Sequence, residues 1–179
     1  MAKKTKPEAV VLSPKIKKIS ADTVREYFDY NPHTGQLRWR KRPYKTSVNV
    51  GAIAGSVNNK TGYRHISLLG CRMLGAHNVA WLHYHGCHPR MLLDHKNGCR
   101  DDNRIENLRE ATISQNNANR RCHNRYGIKG VRLIRGSWVA VGKKDGIPHY
   151  FGSFKTPDEA HRAYAAGISK LHGEFARAV

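Results

Sequence analysis

Acidic residues are scarce in this chain: its 179 residues hold 13 Asp and Glu against 32 Lys and Arg, a formal net charge of +19. With a sequence pI near 10.2, the natural partner is a polyanion, although charge alone also suits a ribosomal or membrane-surface protein. Long apolar runs are absent as well. None approaches the ~20 residues of a membrane span, and the amino-terminal MAKKTKPEAVVLSPKIKK is too short in apolar length and too interrupted by charge for a secretory signal; it reads as a mobile basic arm. The four cysteines, Cys71, Cys87, Cys99 and Cys122, show no C-x-x-C spacing, which removes zinc ribbons and redox motifs. Reduced thiols in a cytoplasmic protein are the expectation, with a zinc site assembled in space left open by the adjacent Cys87 and His88. A hydrophobic fraction of 39% supports small cores and not one large one.

What is present divides into short segments. Ser20 is placed to cap a helix whose buried stripe is Val24, Tyr27 and Phe28, stopping before Pro32. Tyr30-Asn-Pro-His-Thr-Gly35 is a turn signal, and Gln36 to Arg40 alternates like a half-buried strand. Gly51, Gly55 and Gly62 punctuate further strands, Ile53 to Val57 and Tyr63 to Leu69. Arg38, Arg40, Lys41 and Arg42 crowd one strand end, which fits a phosphate-contacting patch and an ordinary solvated edge equally. Gly75 to Tyr84 carries Ala76, Val79, Ala80 and Tyr84 at helical spacing. His77, His83, His85 and His88 lie in or just after it and read as structural.

The densest chemistry lies in LDHKNGCRDDNRIENLREATISQNNANR, Leu93 to Arg120. An apolar lead-in, an Asn97-Gly98 pair suited to a hairpin turn and a capping box Thr112-Ile-Ser-Gln115 give the order strand, turn, strand, helix, with Asn116 about one turn inside the helix. Asp94 offers a carboxylate oxygen and Asn116 an amide oxygen, hard ligands that Mg²⁺ or Mn²⁺ accepts while keeping several waters. His95 can take a proton from water near neutral pH, and Asn107 is a candidate acceptor to orient its second ring nitrogen. The bland alternative is a polar, Asn-rich loop with a surface histidine.

These residues resemble the HNH endonucleases of the His-Me finger (ββα-metal) superfamily, in particular the phage and intron-encoded homing type. The lead-in Y-x-P-x-T-G-x-L-x-W, then G-x-x-x-G and GYRHISLLG, is similar to the segment that precedes the catalytic hairpin in those proteins. The resemblance implies Asp94 and Asn116 as ligands of one Mg²⁺ or Mn²⁺, His95 as general base and Asn107 as the residue that orients it. Many relatives have histidine at the position of Asn116.

From Arg120 to Arg135 the chain is basic without an acid: Arg120, Arg121, Arg125, Lys129, Arg132 and Arg135. This fits a DNA-tracking linker or a solvated face. Val131 to Ile134, Trp138 to Val141 and Pro148 to Phe151 then read as strands separated by Gly136-Ser137 and Lys144-Asp145-Gly146. A second capping box, Thr156-Pro-Asp-Glu159, opens a helix whose face is Ala160, Ala163, Tyr164, Gly167, Ile168 and Leu171. G-V-R, S-W-V-A-V and Y-F-G-S-F-K-T-P-D-E-A-H-R-A-Y-A-A resemble the plant ethylene-response-factor DNA-binding domain, which implies a sheet in the major groove. Arg132 matches a DNA-contacting arginine and Lys143 or Lys144 falls near another, but the first hairpin is shorter than the plant pattern.

The expected fold is therefore α+β: a ββα-metal nuclease domain plus a small three-stranded antiparallel sheet packed on one helix. The expected boundaries are 1–19 basic arm, 20–121 nuclease domain with its β-rich lead-in, 122–127 basic linker and 128–179 sheet-plus-helix domain. The expected activity is metal-dependent hydrolysis of double-stranded DNA, in the cytoplasm, with no membrane and no protein partner inferred. The rival classes are a non-catalytic DNA-binding regulator on an inactive nuclease fold and a ribosome-associated RNA binder.

Overall fold

The computed structural model describes residues 16–44, 46–122 and 124–178, so most of the amino-terminal arm lies outside the described residues. The chain packs as two compact units that divide after Glu110, each with its own apolar core.

In the first unit Ser20 caps α1 (Ala21–Tyr27), its side chain accepting from Thr23 N. The helix is shorter than its apolar spacing suggested. Phe28, expected in its stripe, instead begins β1 (Phe28–Asn31), which pairs antiparallel with β2 (Gln36–Trp39). The alternation of Phe28 and Tyr30 wins because it seats the Phe28 ring on Trp39, with centroids 4.6 Å apart. The strand expected over Ile53 to Val57 is reduced to an isolated bridge at Ile53 and a short β3 (Ser56–Val57), since Gly55 at φ +76° breaks the extension between them. β4 (Arg64–Leu68) matches expectation, whereas β5 (Cys71–Gly75) had no signal. Its turn is Leu69-Gly70, both at positive φ, the twist that two-residue hairpins favour, but leucine is not a residue that advertises it. β5 runs directly into α2 (Ala76–His85), closed by Gly86 in the left-handed conformation. Phe28, Leu37, Ile66, Leu68, Val79 and Leu82 fill the core beneath.

A two-stranded sheet follows, β6 (Leu92–His95) with β7 (Leu108–Ala111). Asn97-Gly98 does make a turn, Gly98 N donating to His95 O at 2.8 Å. It does not return the chain to the sheet: the connection runs from Lys96 through a 3₁₀ turn at Ile105–Asn107.

The second unit opens with α3 (Ile113–Asn119), where both halves of the Thr112/Gln115 capping box are formed. β8 (Val131–Ile134), β9 (Ser137–Lys144) and β10 (Ile147–Phe154) make an antiparallel sheet in the order β10-β9-β8, with β8 as expected and β9 and β10 longer than the sequence indicated. α4 (Pro157–His172) has its capping box complete and proline at its start. Val131, Ala140, Ala160, Tyr164 and Ile168 form the core between sheet and helix. α3 packs against β9, α4 and the turn after α4, so it belongs to this unit. Among the described residues no helix is long and apolar enough to cross a membrane.

Small residues set the spacing of α4 on the sheet. A Cβ at Gly167 would stand 2.4 Å from Phe151 Cδ1, well inside contact. Gly167→Ala should therefore destabilise the protein by about 1–3 kcal/mol, against the ~1 kcal/mol that alanine gains in a helix. Urea unfolding of the two proteins measures it, and a more stable variant would show that the helix has room to move.

Candidate active site

β6 is short and closed in on both sides. Neighbours on a strand point to opposite faces, and Asp94 and His95, 5% and 3% exposed, accordingly find different partners. Asp94 Oδ2 accepts from Arg109 Nε on the facing strand at 3.0 Å, a pair in which both side chains are buried. His95 is the last residue of the strand. Its Nε2 lies 3.2 Å from Asn103 Oδ1; an amide oxygen only accepts, so Nε2 carries the proton and the basic lone pair is on Nδ1.

The loop between the strands is stitched to itself. Lys96 N donates to Asn107 O at 2.9 Å. The Asn107 side chain accepts from Asn97 N at 3.0 Å and donates to Asp102 O at 2.7 Å. Asp102 receives Asn97 Nδ2 at 2.7 Å and two guanidinium nitrogens of Arg104 at 2.9 and 2.8 Å, and that guanidinium holds its carboxyl down to about 2. The expectation that Asn107 orients His95 by direct contact is therefore corrected: Asn107 closes the loop, and the oxygen on the imidazole is that of Asn103. Asn103 is 2% exposed and receives Tyr30 Oη on its backbone oxygen at 2.7 Å. Nothing in the spacing of the polar run C-R-D-D-N-R marked it, because its importance comes from burial.

Rings surround His95. The His77 ring lies edge-on at 5.4 Å and the Tyr63 ring at 5.9 Å between centroids. Burial lowers the His95 imidazole below its ordinary value, against the opposing pull of Asn103, Asp94 and Asp102. Burial, helped by His95 and His65, takes His77 down to about 3. Both rings are thus neutral near pH 7, as an accepting base requires. His77, read from sequence as structural, is in contact with the imidazole of interest, and its Nδ1 is buried with no hydrogen-bond partner among the described residues. Among the described residues no group of three or more His, Cys, Asp or Glu is placed to hold a metal ion.

Asn116 stands on α3 in the second unit, half-buried, with its N–H donating to Thr112 O at 2.9 Å. Arg120, Arg121, Arg125, Arg132, Arg135, Lys143 and Lys144 are exposed. Lys129 is not: it is half-buried and its Nζ donates to Ala118 O at the end of α3, which turns its charge inward. Ala140 on the central strand, paired with Val131 on one side and Gly152 on the other, sets one face of the sheet on α4, and by alternation Arg132, Val139, Val141, Lys143 and Tyr150 share the other. Tyr150, 65% exposed, was missed at the sequence level, although an aromatic beside Pro148 in a strand pattern was visible there.

Residues 74–118 match the family model of the HNH endonucleases. The matched stretch runs from β5 into α3 and contains Asp94, His95, Asn103, Asn107 and Asn116. The match supports a nuclease, and a nuclease domain implies a nucleic-acid substrate; nucleases of this type are generally dependent on a divalent metal. No curated protein and no solved structure matches the chain.

Removing the Asn103 amide leaves a buried ring N–H without an acceptor, which costs about 1–3 kcal/mol. Asn103→Ala should lose about that much stability and should also mix the His95 tautomers, seen by ¹⁵N NMR of the labelled imidazole. A ring that keeps its proton on Nε2 would assign the tautomer to another neighbour.

Proposed function

We propose that this protein is a metal-dependent DNA endonuclease of the HNH homing type, acting in the cytoplasm. The observation that carries the reading is a buried, neutral His95 with its basic nitrogen at Nδ1 and a buried carboxylate beside it, inside the stretch that matches the family. The oxygen donors assigned to one Mg²⁺ or Mn²⁺ are Asp94, whose Oδ2 is also held by Arg109, and Asn116; a carboxylate and an amide are hard ligands of the kind such a metal accepts. When bound, that ion stabilises charge on the scissile phosphate and its leaving oxygen.

The chain's own residues do the rest. His95 Nδ1 takes the proton of the attacking water; Asn103 holds the ring so that Nδ1 is the nitrogen presented; Asn107 keeps the loop closed around it. His77 and Tyr63 limit the water that reaches the imidazole. Double-stranded DNA is held by exposed bases of the second unit, with Arg120, Arg121 and Arg125 along the chain before the sheet and Arg132, Arg135, Lys143 and Lys144 on and around it. The likeness of this sheet to the ethylene-response-factor domain supports readout in the major groove from the face bearing Arg132 and Tyr150.

Supercoiled plasmid should be cut by the full chain with Mg²⁺ and left intact with EDTA. His95→Ala should lower the cleavage rate by about 10²–10⁴, the usual contribution of a general base, while binding duplex DNA as before; a variant that cuts like the parent removes His95 as the base.

The DNA surface is tested separately by titrating random and selected duplexes at several salt concentrations. Arg132→Ala should relax preference at one base-pair position, whereas Lys144→Ala should weaken all sequences alike and flatten the dependence of log K on log salt by about 0.9. Unchanged salt slopes in both variants would return these charges to a solvated surface.

A further inference from the structure

Among the described residues, one cation near His95 pairs with no carboxylate. Arg100, half-buried in the loop between β6 and β7, donates from Nη1 to Thr61 O at 2.7 Å. Its guanidinium lies 5.0 Å from the centre of the Tyr63 ring, the same ring that stands against His95. The acids next to it in sequence are engaged by other arginines. Asp101 takes Arg64 at 2.8 and 2.9 Å, and Asp102 takes Arg104. Among the described residues the Nε and Nη2 of Arg100 make no hydrogen bond. A guanidinium pinned at one corner, stacked on an aromatic face and left with two donors, is prepared for an oxyanion: its planar fork loses little freedom when it binds one.

The chemistry of the site needs such a donor at some distance from the base. The attacking water sits about 3 Å from the imidazole nitrogen and about 3–3.5 Å from phosphorus. A group serving a non-bridging oxygen on the far side of that atom is then well outside contact with the imidazole yet close enough for its charge to act there. Arg100 fits that separation, since the Tyr63 ring carries its guanidinium at 5.0 Å and lies 5.9 Å from the His95 ring.

We propose that Arg100 is a further catalytic residue, whose Nε and Nη2 hydrogens receive a non-bridging oxygen of the scissile phosphate while His95 deprotonates the attacking water. The proposal rests on the nuclease function above. Water oxygen forms the new bond to phosphorus as its proton passes to His95 Nδ1. The bond from phosphorus to the leaving sugar oxygen breaks, its electron pair stays on that oxygen, and solvent supplies the proton that completes it. Arg100 remains charged throughout and stabilises the negative charge that builds on the phosphoryl oxygens in the transition state.

The rival role is structural, a tether for the turn at Thr61, and the variants separate the two. Arg100→Gln keeps an N–H₂ that can reach Thr61 O and removes the charge; Arg100→Lys keeps the charge and removes the fork; Arg100→Ala removes both. Single-turnover cleavage of a short duplex by the full chain with Mg²⁺ should fall about 100-fold in Arg100→Gln and Arg100→Ala, the usual effect of losing one such donor. Arg100→Lys should recover part of the loss, and guanidinium added at about 10–50 mM should accelerate Arg100→Ala but not the parent, by refilling the site the fork left. Duplex affinity measured in EDTA should change little, as expected for a contact made chiefly in the transition state. The proposal is overturned if Arg100→Gln cleaves like the parent, or if its loss is matched by unfolding in a thermal melt and neither lysine nor guanidinium restores rate. His95→Ala run alongside tells the two failures apart: an active His95→Ala sinks the nuclease reading, whereas an inactive one beside a fully active Arg100→Gln sinks only the role of Arg100.

Discussion

The bond between His95 Nε2 and Asn103 Oδ1 is the contact on which the first unit turns. It decides which imidazole nitrogen is basic, and it is only as firm as the loop that carries Asn103. That loop is held from outside as well as from within. Tyr30 on β1 donates to the Asn103 backbone oxygen, Ile105 N donates to Pro32 O, and Gly35 at φ +72° approaches so closely that a Cβ there would lie 2.5 Å from Arg104 N. The β1–β2 hairpin thus acts as a buttress for the acceptor of the His95 ring. Its turn, Tyr30 to Gly35, needs a glycine because of that approach and not only because of its φ.

Much of this was legible in the sequence, and the reasons for the exceptions are physical. Both capping boxes form as read, because the donors they satisfy are local to the first turn of each helix. The apolar lead-in read as a strand does form one, β6, which ends on Asp94 and His95. Asn103 and Arg100 were not singled out, since their roles come from burial and from long-range partners, Tyr30 and Tyr63, that no short spacing encodes. Asn107 was given a direct bond to His95 because it is an uncharged acceptor at a plausible distance along the chain. Its actual bonds to Asn97 and Asp102 serve the loop backbone, and a spacing argument cannot tell a side chain that holds a ring from one that holds the chain carrying the ring. The β4–β5 turn was invisible for a different reason, a leucine in a conformation that sequence rules reserve for Asn, Asp and Gly.

Lys129 shows how a charge run can mislead. Among the basic residues from Arg120 to Arg135 it was read with the others as a DNA contact, yet its ammonium caps the carboxyl end of α3 through Ala118 O. Burial, together with Arg177, lowers it to about 8. Arg177 N reaches the same carbonyl at 3.4 Å, and Ser114 Oγ near the helix start accepts from Asp145 N in the β9–β10 turn at 2.8 Å. The helix that bears Asn116 is therefore built into the packing of the sheet and α4. The capping box told where this helix starts; what it packs on is written in residues such as Lys129 and Asp145 that lie far along the chain.

The distribution of ion pairs separates chemistry from affinity. In the first unit Asp101 and Asp102 each hold an arginine, which fixes the shape of the loop between β6 and β7 and leaves those acids little net repulsion for a phosphate, while Asp94 is paired with Arg109 across β6 and β7. In the second unit Arg120, Arg121, Arg132, Arg135, Lys143 and Lys144 are exposed and pair with no carboxylate among the described residues. Unpaired surface cations stabilise a fold very little, but each one that meets a phosphate releases counterions. A chain with so few acids can use them either to build a loop or to neutralise its surface. Asp101, Asp102 and Glu106 build the loop, Glu26 and Asp29 meet exposed cations of the first unit, and the exposed cations of the second unit are left where they can act on a polyanion.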